Sequence, residues 1–310
     1  MKRATLIAWF LVAVMVGAST VSAQPVSATT CCRAMALTPE WVIVLNNARI
    51  VQVRARSGGD WLPMESVGEK AVDLASGDRL WLLTSDGFVA GLDDKFRVAI
   101  QFEVGRDALS LGVAGRIIRV ARPGPQVLVI DSYSESGEQL GSSSLSVPLS
   151  DLESRASRRM PVAHRMGFDL MHLAAGPGGC AAVYRFRNLL VPCDGGTNAV
   201  RWGSSASLQE EHLAAFEDRS RLSSRPRPHT FQAVAWRDGY AAIEWLTRFD
   251  PESGRYEQRD QVALLTADGS VTHRVALGRQ ALAIAAFEGD LFVLLDESEP
   301  RLKLLEVPTR

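Results

Sequence analysis

The segments Leu82–Val89 (LLTSDGFV) and Leu264–Val271 (LLTADGSV) share six of eight residues although they start 182 positions apart. Each is a short apolar run, an Asp-Gly pair and a second short run. Asp-Gly tolerates the positive φ angles of a two-residue hairpin turn, so each segment predicts strand, tight turn, strand. Weaker versions of the phrase lie between and beyond these two. They are IVLNNARIVQV from Ile43, VLVIDSYSESGEQL from Val127, LLVPCDGGTNAV from Leu189 and VLLDESEPRLKLLEV from Val293. Further strand-like runs, such as RIIRVA, CAAVYRF and FQAVAW, precede several of the phrases.

Three to four short strands per unit, at about 40–50 residues per unit, is the spacing of a β-propeller. The expected fold is therefore all-β, a propeller of six blades, with five to seven compatible with the spacing. The 182-residue separation reads as four units of 45.5 residues. Successive phrases start 39, 45, 62, 75 and 29 residues apart. The two long gaps hold polar insertions after successive blades, Gly141–Met166 and Gly203–Thr230. In the second, Ser207 with Glu210 forms a capping box, and Leu208, Leu213 and Phe216 follow at near-helical spacing, which predicts a short surface helix. The short last gap predicts a final blade that borrows a strand from the N-terminal region.

The N-terminus has the form of an export signal. Lys2 and Arg3 precede the apolar run Leu6–Gly17, and Val21-Ser22-Ala23 supplies small residues at a cleavage site, so 1–23 is expected to be a signal peptide. Ala28-Thr29-Thr30 before Cys31 lacks the aliphatic residue of a lipoprotein-type site. The expected layout is a mature N-terminal segment over 24–39 and the propeller over 40–310, periplasmic or secreted, with no membrane span. Cleavage leaves 287 residues with 32 basic and 35 acidic side chains, a balance too near neutral for a nucleic-acid partner. Arginine supplies 30 of the 34 basic residues, which biased codon usage explains as well as anion recognition does.

Four cysteines in an exported chain read as disulfides, and four allow three connectivities. Folding Cys180–Cys193 as a hairpin around Phe186-Arg187-Asn188 brings Cys180 opposite Cys193. Cys31 and Cys32 are then left to pair with each other or to reach a partner elsewhere.

On the strand–turn phrases, and over nearly all of Glu40 to Val307, the chain resembles exported six-bladed β-propellers of the broad NHL/TolB-like kind. What the resemblance implies is fold. Propellers of this class include enzymes, metal-dependent hydrolases, docking scaffolds and ligand sensors, so analogy does not choose among them.

Catalytic motifs are absent: no Gly-x-Ser-x-Gly elbow, no His-Glu-x-x-His, no Gly-x-Gly-x-x-Gly and no phosphate loop. Without Cys-x-x-Cys-His or Cys-x-x-Cys, neither covalent haem nor a zinc ribbon is expected, and no cofactor is implied. The five histidines are His164, His172, His212, His229 and His273. No two have i, i+2 or i, i+4 spacing, so no metal is expected. His172 and His273, on strands, are the candidates to face a central channel. Asp93-Asp94 and Asp250–Gly254 read as turn caps, and the tryptophans as packing between blades.

Two arginine clusters remain: Arg155, Arg158, Arg159 and Arg165 in the first insertion, and Arg219, Arg221, Arg225 and Arg227 in the second. Connections from outer strands leave a propeller on one face, which makes the clusters neighbours there and suits them to carboxylate, sulfate or phosphate groups. The expected function is a non-catalytic exported propeller binding a protein or an anionic small molecule on one face. The alternative is a hydrolase or lyase with side chains converging at the channel.

Overall fold

All six strand–turn–strand phrases form paired strands, and each pair belongs to a different sheet. The structure is a computed structural model that describes residues 32–64, 70–124, 126–148, 171–184, 189–193, 200–201, 227–250, 255–297 and 300–307. The expected signal peptide, Cys31 and the expected Ser207 helix lie outside these residues. In order along the chain, the first sheet joins β1 (Ala34–Leu37), β2 (Trp41–Leu45), β3 (Val51–Ala55) and β4 (Leu62–Pro63). The second joins β5 (Ala71–Ser76), β6 (Leu80–Thr84), β7 (Phe88–Leu92) and β8 (Val98–Glu103). The third joins β9 (Ser110–Ala114), β10 (Ile117–Pro123), β11 (Val127–Ser134) and β12 (Gln139–Ser146). The fourth joins β13 (Met171–Gly176), β14 (Gly179–Tyr184), β15 (Leu189–Pro192) and β16 (Val200–Arg201). The fifth joins β17 (Arg227–Trp236), β18 (Gly239–Asp250), β19 (Arg255–Thr266) and β20 (Val271–Ala276). The sixth has β21 (Ala281–Phe287), β22 (Asp290–Leu295) and β23 (Arg301–Leu304).

Every pairing is antiparallel. The first strands β1, β5, β9, β13, β17 and β21 touch one another in that order, and β21 returns to β1. The fold is a six-bladed β-propeller. Six apolar clusters lie between consecutive blades, one at each junction of the ring. Strands near the middle of a blade are covered on both faces and read as continuous apolar runs, WVIVL in β2 and LLVP in β15. The outermost strands face solvent, as in β8 and β12. Near the axis the blades converge, and the inner strands are rich in alanine and glycine. A Cβ on Gly112 would stand 2.7 Å from the Cβ of Ala175 in the next blade, and one on Gly176 would stand 2.9 Å from that of Ala235.

Strand alternation gives the ring two faces. The turns from first to second strand lie on one face, and the connections from each outer strand to the next inner strand lie on the other. At the two insertions the described chain leaves from the ends of β12 and β16 and re-enters at the starts of β13 and β17, all four on the second face. The first is shorter than expected: the stretch from Gly141 to Ser146, read as loop for its glycine and serines, forms most of β12, where solvent-facing polar residues are what an outermost strand carries. On the same face β18 and β19 extend past β20. Their pairing from Trp245–Asp260 to Asp250–Arg255 lies beyond the last β20 partner, Gln261. Six residues at about 3.4 Å each make an arm of about 20 Å.

Three expectations are corrected. β1 already belongs to the first blade although it lies inside 24–39, the expected mature N-terminal segment, because Thr38-Pro39-Glu40 is a tight turn in which the Thr38 N–H donates to the Trp41 carbonyl at 3.0 Å. Its Thr38 Oγ1 accepts the Trp41 N–H at 3.0 Å. Nor is an N-terminal strand found on the last blade among the described residues: β1 is the inner strand of blade 1, paired with β2. Blades 6 and 1 instead meet through apolar packing of Met35, Leu37, Val42 and Val44 on Leu282, Ala283, Ala285 and Leu294. Arg56 of blade 1 adds to this seam, its guanidinium lying 5.0 Å from the ring centres of both Phe287 and Phe292. Finally, the repeated phrases are three blades apart, not four units. Leu82–Val89 joins the second and third strands of blade 2, whereas Leu264–Val271 joins the third and fourth of blade 5.

Their turns also differ from the expected two-residue form. Thr84 O accepts the Gly87 N–H at 3.1 Å, and only Gly87 has positive φ, at 90°. That is a three-residue loop, a type I turn followed by a left-handed residue. Among the described residues the same device occurs five times, starting at Asn46, Thr84, Asp93, Ser134 and Thr266. Each time a side-chain oxygen at the first position accepts the N–H four residues on, and the fourth position is left-handed.

Candidate functional site

The inner strands of all six blades enclose an axial cavity of about 400 Å³. Its wall is an alanine- and glycine-rich stretch of β5, β9, β13, β17 and β21 together with Ala34 and Met35 at the start of β1, and it opens on the face of the first-to-second strand turns, at Pro177, Arg237 and Glu288. An inner strand pairs on one edge only, so its other edge presents unpaired N–H and C=O groups to the axis.

A belt of buried polar side chains answers part of that need at the cavity floor. Asp73 Oδ2 accepts the Ser110 hydroxyl at 2.6 Å and the Leu111 N–H at 2.8 Å, and its Oδ1 accepts the Leu74 N–H at 2.9 Å. Ser110 Oγ in turn accepts the Leu173 N–H at 2.8 Å, so one relay ties β5 to β9 and β9 to β13. Across the ring, Gln232 Oε1 accepts the Ile284 N–H at 2.8 Å, and its Nε2 donates to the Arg33 carbonyl at 2.9 Å. That second relay ties β17 to β21 and to the residue preceding β1. Burial pushes the Asp73 carboxyl above the ordinary carboxylate range, opposed by its three donors and by the Arg33 charge. Burial lowers the Arg33 guanidinium, and Asp73 opposes that shift.

Three further buried carboxylates among the described residues lie outside the cavity lining: Asp260 Oδ2 accepts the Ala281 N–H of the next blade at 2.6 Å, and the other two are held within their own blades. Glu244 accepts from Gln261 Nε2 at 2.6 Å and Arg274 Nε at 3.0 Å. Asp131 accepts from Arg122 and from Gln139.

The rim of the cavity has a different character. Trp236 Nε1–H donates to the Gly289 carbonyl at 2.9 Å, which joins the β17–β18 turn to the β21–β22 turn of the next blade. The Arg237 guanidinium lies 4.2 Å from the Trp236 ring centre. Arg237 and Glu288, on those two turns, are both left-handed with φ of 50°, where side chains other than glycine are strained.

The sequence-based candidates fall into three groups. His172 lines the cavity wall, half-buried on β13. His273 does not: β20 is the outermost strand of blade 5, and the residue is exposed there. Its placement as a channel candidate is corrected, because the phrase that carries it sits at the third and fourth strands. Arg155, Arg158, Arg159, Arg165, Arg219, Arg221 and Arg225 lie outside the described residues, as do His164 and His212. Arg227 is the first residue of β17, paired by its backbone with Thr247, and its side chain lies outside the described residues. Cys180 and Cys193 form a disulfide, with Cα atoms 5.4 Å apart. Cys32 is buried and disulfide-bonded, and the expected Cys31–Cys32 pairing lies outside the described residues.

The belt and the rim are the features that sequence reasoning missed. A signal existed for the belt: AVDLA, SLGV and FQAVAW each place one polar residue in an apolar, small-residue run. Among the described residues, no group of three or more His, Cys, Asp or Glu is placed to hold a metal ion.

No family model and no curated protein matches the chain. Solved structures resemble it at low identity. The Pan2 WD40 domain of Neurospora crassa is 8% identical over 89% of this chain and 79% of that one, with a TM-score of 0.45. BamB from Moraxella catarrhalis is 10% identical over 87% and 94%, with a TM-score of 0.40. The computationally designed Ika8 protein is 8% identical over 91% and 98%, with a TM-score of 0.42. The fold assignment rests on the six sheets themselves.

Proposed function

We propose that this is an exported, non-catalytic propeller that binds a protein or an anionic small molecule on the face carrying the two arginine-rich insertions. The observation behind the reading is topological. Both insertions enter inner strands of adjacent blades, β13 and β17, from the same face, which is also the face of the β18–β19 arm. Two arginine clusters delivered side by side suit bidentate recognition of carboxylate, sulfate or phosphate groups. Export is supported by the Cys180–Cys193 disulfide, which persists in oxidising compartments, and by the signal-like N-terminus. No helix among the described residues is long and apolar enough to cross a membrane.

The test substitutes alanine for Arg158, Arg159, Arg225 and Arg227 together and follows retention on an immobilised sulfated polysaccharide. The variant is expected to elute at lower salt with unchanged thermal stability. Equal retention overturns the reading.

One observation favours the enzymatic alternative: His172 and Asp73 line one cavity. Against it, the Asp73 oxygens already accept three hydrogen bonds that hold strand edges. A hydrolase or lyase using His172 would lose turnover in H172Q; a binding module would keep its ligand.

A further inference from the structure

The rim of the axial cavity is built from strained residues that the fold does not require. Of the five tight turns of shared form elsewhere in the ring, three place glycine at the left-handed position, Gly87, Gly137 and Gly269, and two place Arg49 and Phe96 there. On the rim, the β17–β18 turn has Arg237 left-handed and the β21–β22 turn has Glu288 left-handed beside Gly289, and glycine would take either charged position with less strain. These turns abut, since the Trp236 indole N–H reaches the Gly289 carbonyl. Stacking on Trp236 holds the Arg237 guanidinium by its face and leaves the N–H edges of the fork to a ligand. Both charged residues are exposed, and behind them stand Phe287 and the alanine-rich wall of a cavity large enough for a small molecule.

Of the charged side chains on these adjoining turns, Arg237 and Glu288 line the cavity mouth while Asp238 and Asp290 do not, and with Phe287 and the alanine-rich part of the wall they form a site for a compact zwitterion with an apolar tail. We propose that the rim binds a free amino acid with a large apolar or aromatic side chain. Its carboxylate lies on Arg237, its ammonium on Glu288, and its side chain enters the cavity. This assignment rests on reading the chain as a binding module, but places a second ligand site on the face opposite the insertions.

The experiment is calorimetric titration of the purified protein with L-phenylalanine, phenylacetate and phenethylamine. L-Phenylalanine is expected to bind saturably, and each half-charged analogue at least about tenfold more weakly, as befits loss of one charge-assisted contact. Arg237→Gly should remove the advantage of phenylalanine over phenethylamine, and Glu288→Gly its advantage over phenylacetate. Glycine relieves the left-handed strain, so both variants should melt no lower than the parent. Absence of saturable phenylalanine binding, equal affinity for all three compounds, or wild-type selectivity in both glycine variants would overturn the proposal. The alanine variant of the four insertion arginines should still bind phenylalanine like the parent, so failure of the anion-binding reading and failure of this one give different patterns.

Discussion

The two copies of the repeated phrase have nearly the same sequence and opposite positions. Leu82–Val89 turns at Ser85–Gly87 on the insertion face of blade 2, between second and third strands. Leu264–Val271 turns at Ala267–Gly269 on the cavity face of blade 5, three places around the ring, between third and fourth strands. The local geometry is shared: Gly87 and Gly269 have φ of 90° and 82°, and Thr84 and Thr266 each accept the N–H four residues on at 3.1 Å. What differs is the surroundings. Val89 is fully buried between blades, whereas Val271, on an outermost strand, is only half-buried. Eight residues specify a turn; the strands before them decide where in the blade it falls.

The largest expected difference between the copies is at glycine. A Cβ on Gly87 would stand 2.6 Å from the carbonyl carbon of Gly105 and 2.7 Å from the Arg106 nitrogen, both backbone atoms with little room to yield. Gly87→Ala therefore combines left-handed strain with a steric overlap and should cost about 3 kcal/mol or more. At Gly269, with φ of 82°, the left-handed strain predicts about 1–2 kcal/mol for Gly269→Ala. Urea unfolding of the two variants measures the gap, and equal losses would mean that the turn, not its surroundings, carries the cost.

The threonines come next. Thr84→Val and Thr266→Val each remove a hydroxyl that accepts from the chain and whose one proton is shared between the carbonyl four residues on and the aspartate two residues on. Each should cost about 1 kcal/mol. Because this bond is internal to the turn, the two losses should match, in contrast to the glycines.

This contrast explains what was legible in the sequence. Six phrases gave six blades because strands near the middle of a blade are covered on both faces, and the apolar runs of β2, β6 and β22 stand out from their turns. Which strands of the blade a phrase occupies was not legible. A strand–turn–strand phrase looks alike at the second and third strands as at the third and fourth, and that ambiguity produced the count of four units and the misplacement of His273. The last strand of blade 3 was hidden for a related reason: GSSSLS has loop composition because β12 faces solvent. At the candidate site, His172 could be picked out as a polar residue on an apolar strand. Arg237 and Glu288 could not, because their distinction is a backbone angle, and the sequences RDG and EGD read as ordinary turns.

The five-fold turn device permits a smaller test. At its left-handed position Arg49 has φ of 66° and Phe96 has φ of 57°. Arg49→Gly should stabilise the protein by up to about 1 kcal/mol, since glycine takes that conformation without strain. Phe96→Gly should not, because Phe96 packs edge-on against Trp41 at 5.7 Å and against the blade 1–2 cluster. Thermal melts of the pair separate strain from packing.

The smallest expected effect concerns the two exposed aspartates of the repeated phrase. Both carboxyls are held below the ordinary range, Asp86 by the Thr84 hydroxyl and then Lys70, Asp268 by the Thr266 hydroxyl and then the Ser270 backbone. A carboxylate whose folded pKa is depressed adds stability that is present above its unfolded value and is lost as pH falls through the folded value. Both contributions should therefore fade below about pH 4. They should respond differently to salt. Asp86 forms an exposed ion pair with Lys70, N–O 3.1 Å, which added electrolyte screens. The shift at Asp268 comes from hydrogen bonds within its turn, which salt leaves largely intact. NMR titration of the two carboxyls at low and high ionic strength should show Asp86 moving toward its ordinary value in salt while Asp268 stays. If both move equally, the Lys70 pair is not what distinguishes the copy on the insertion face from its counterpart across the ring.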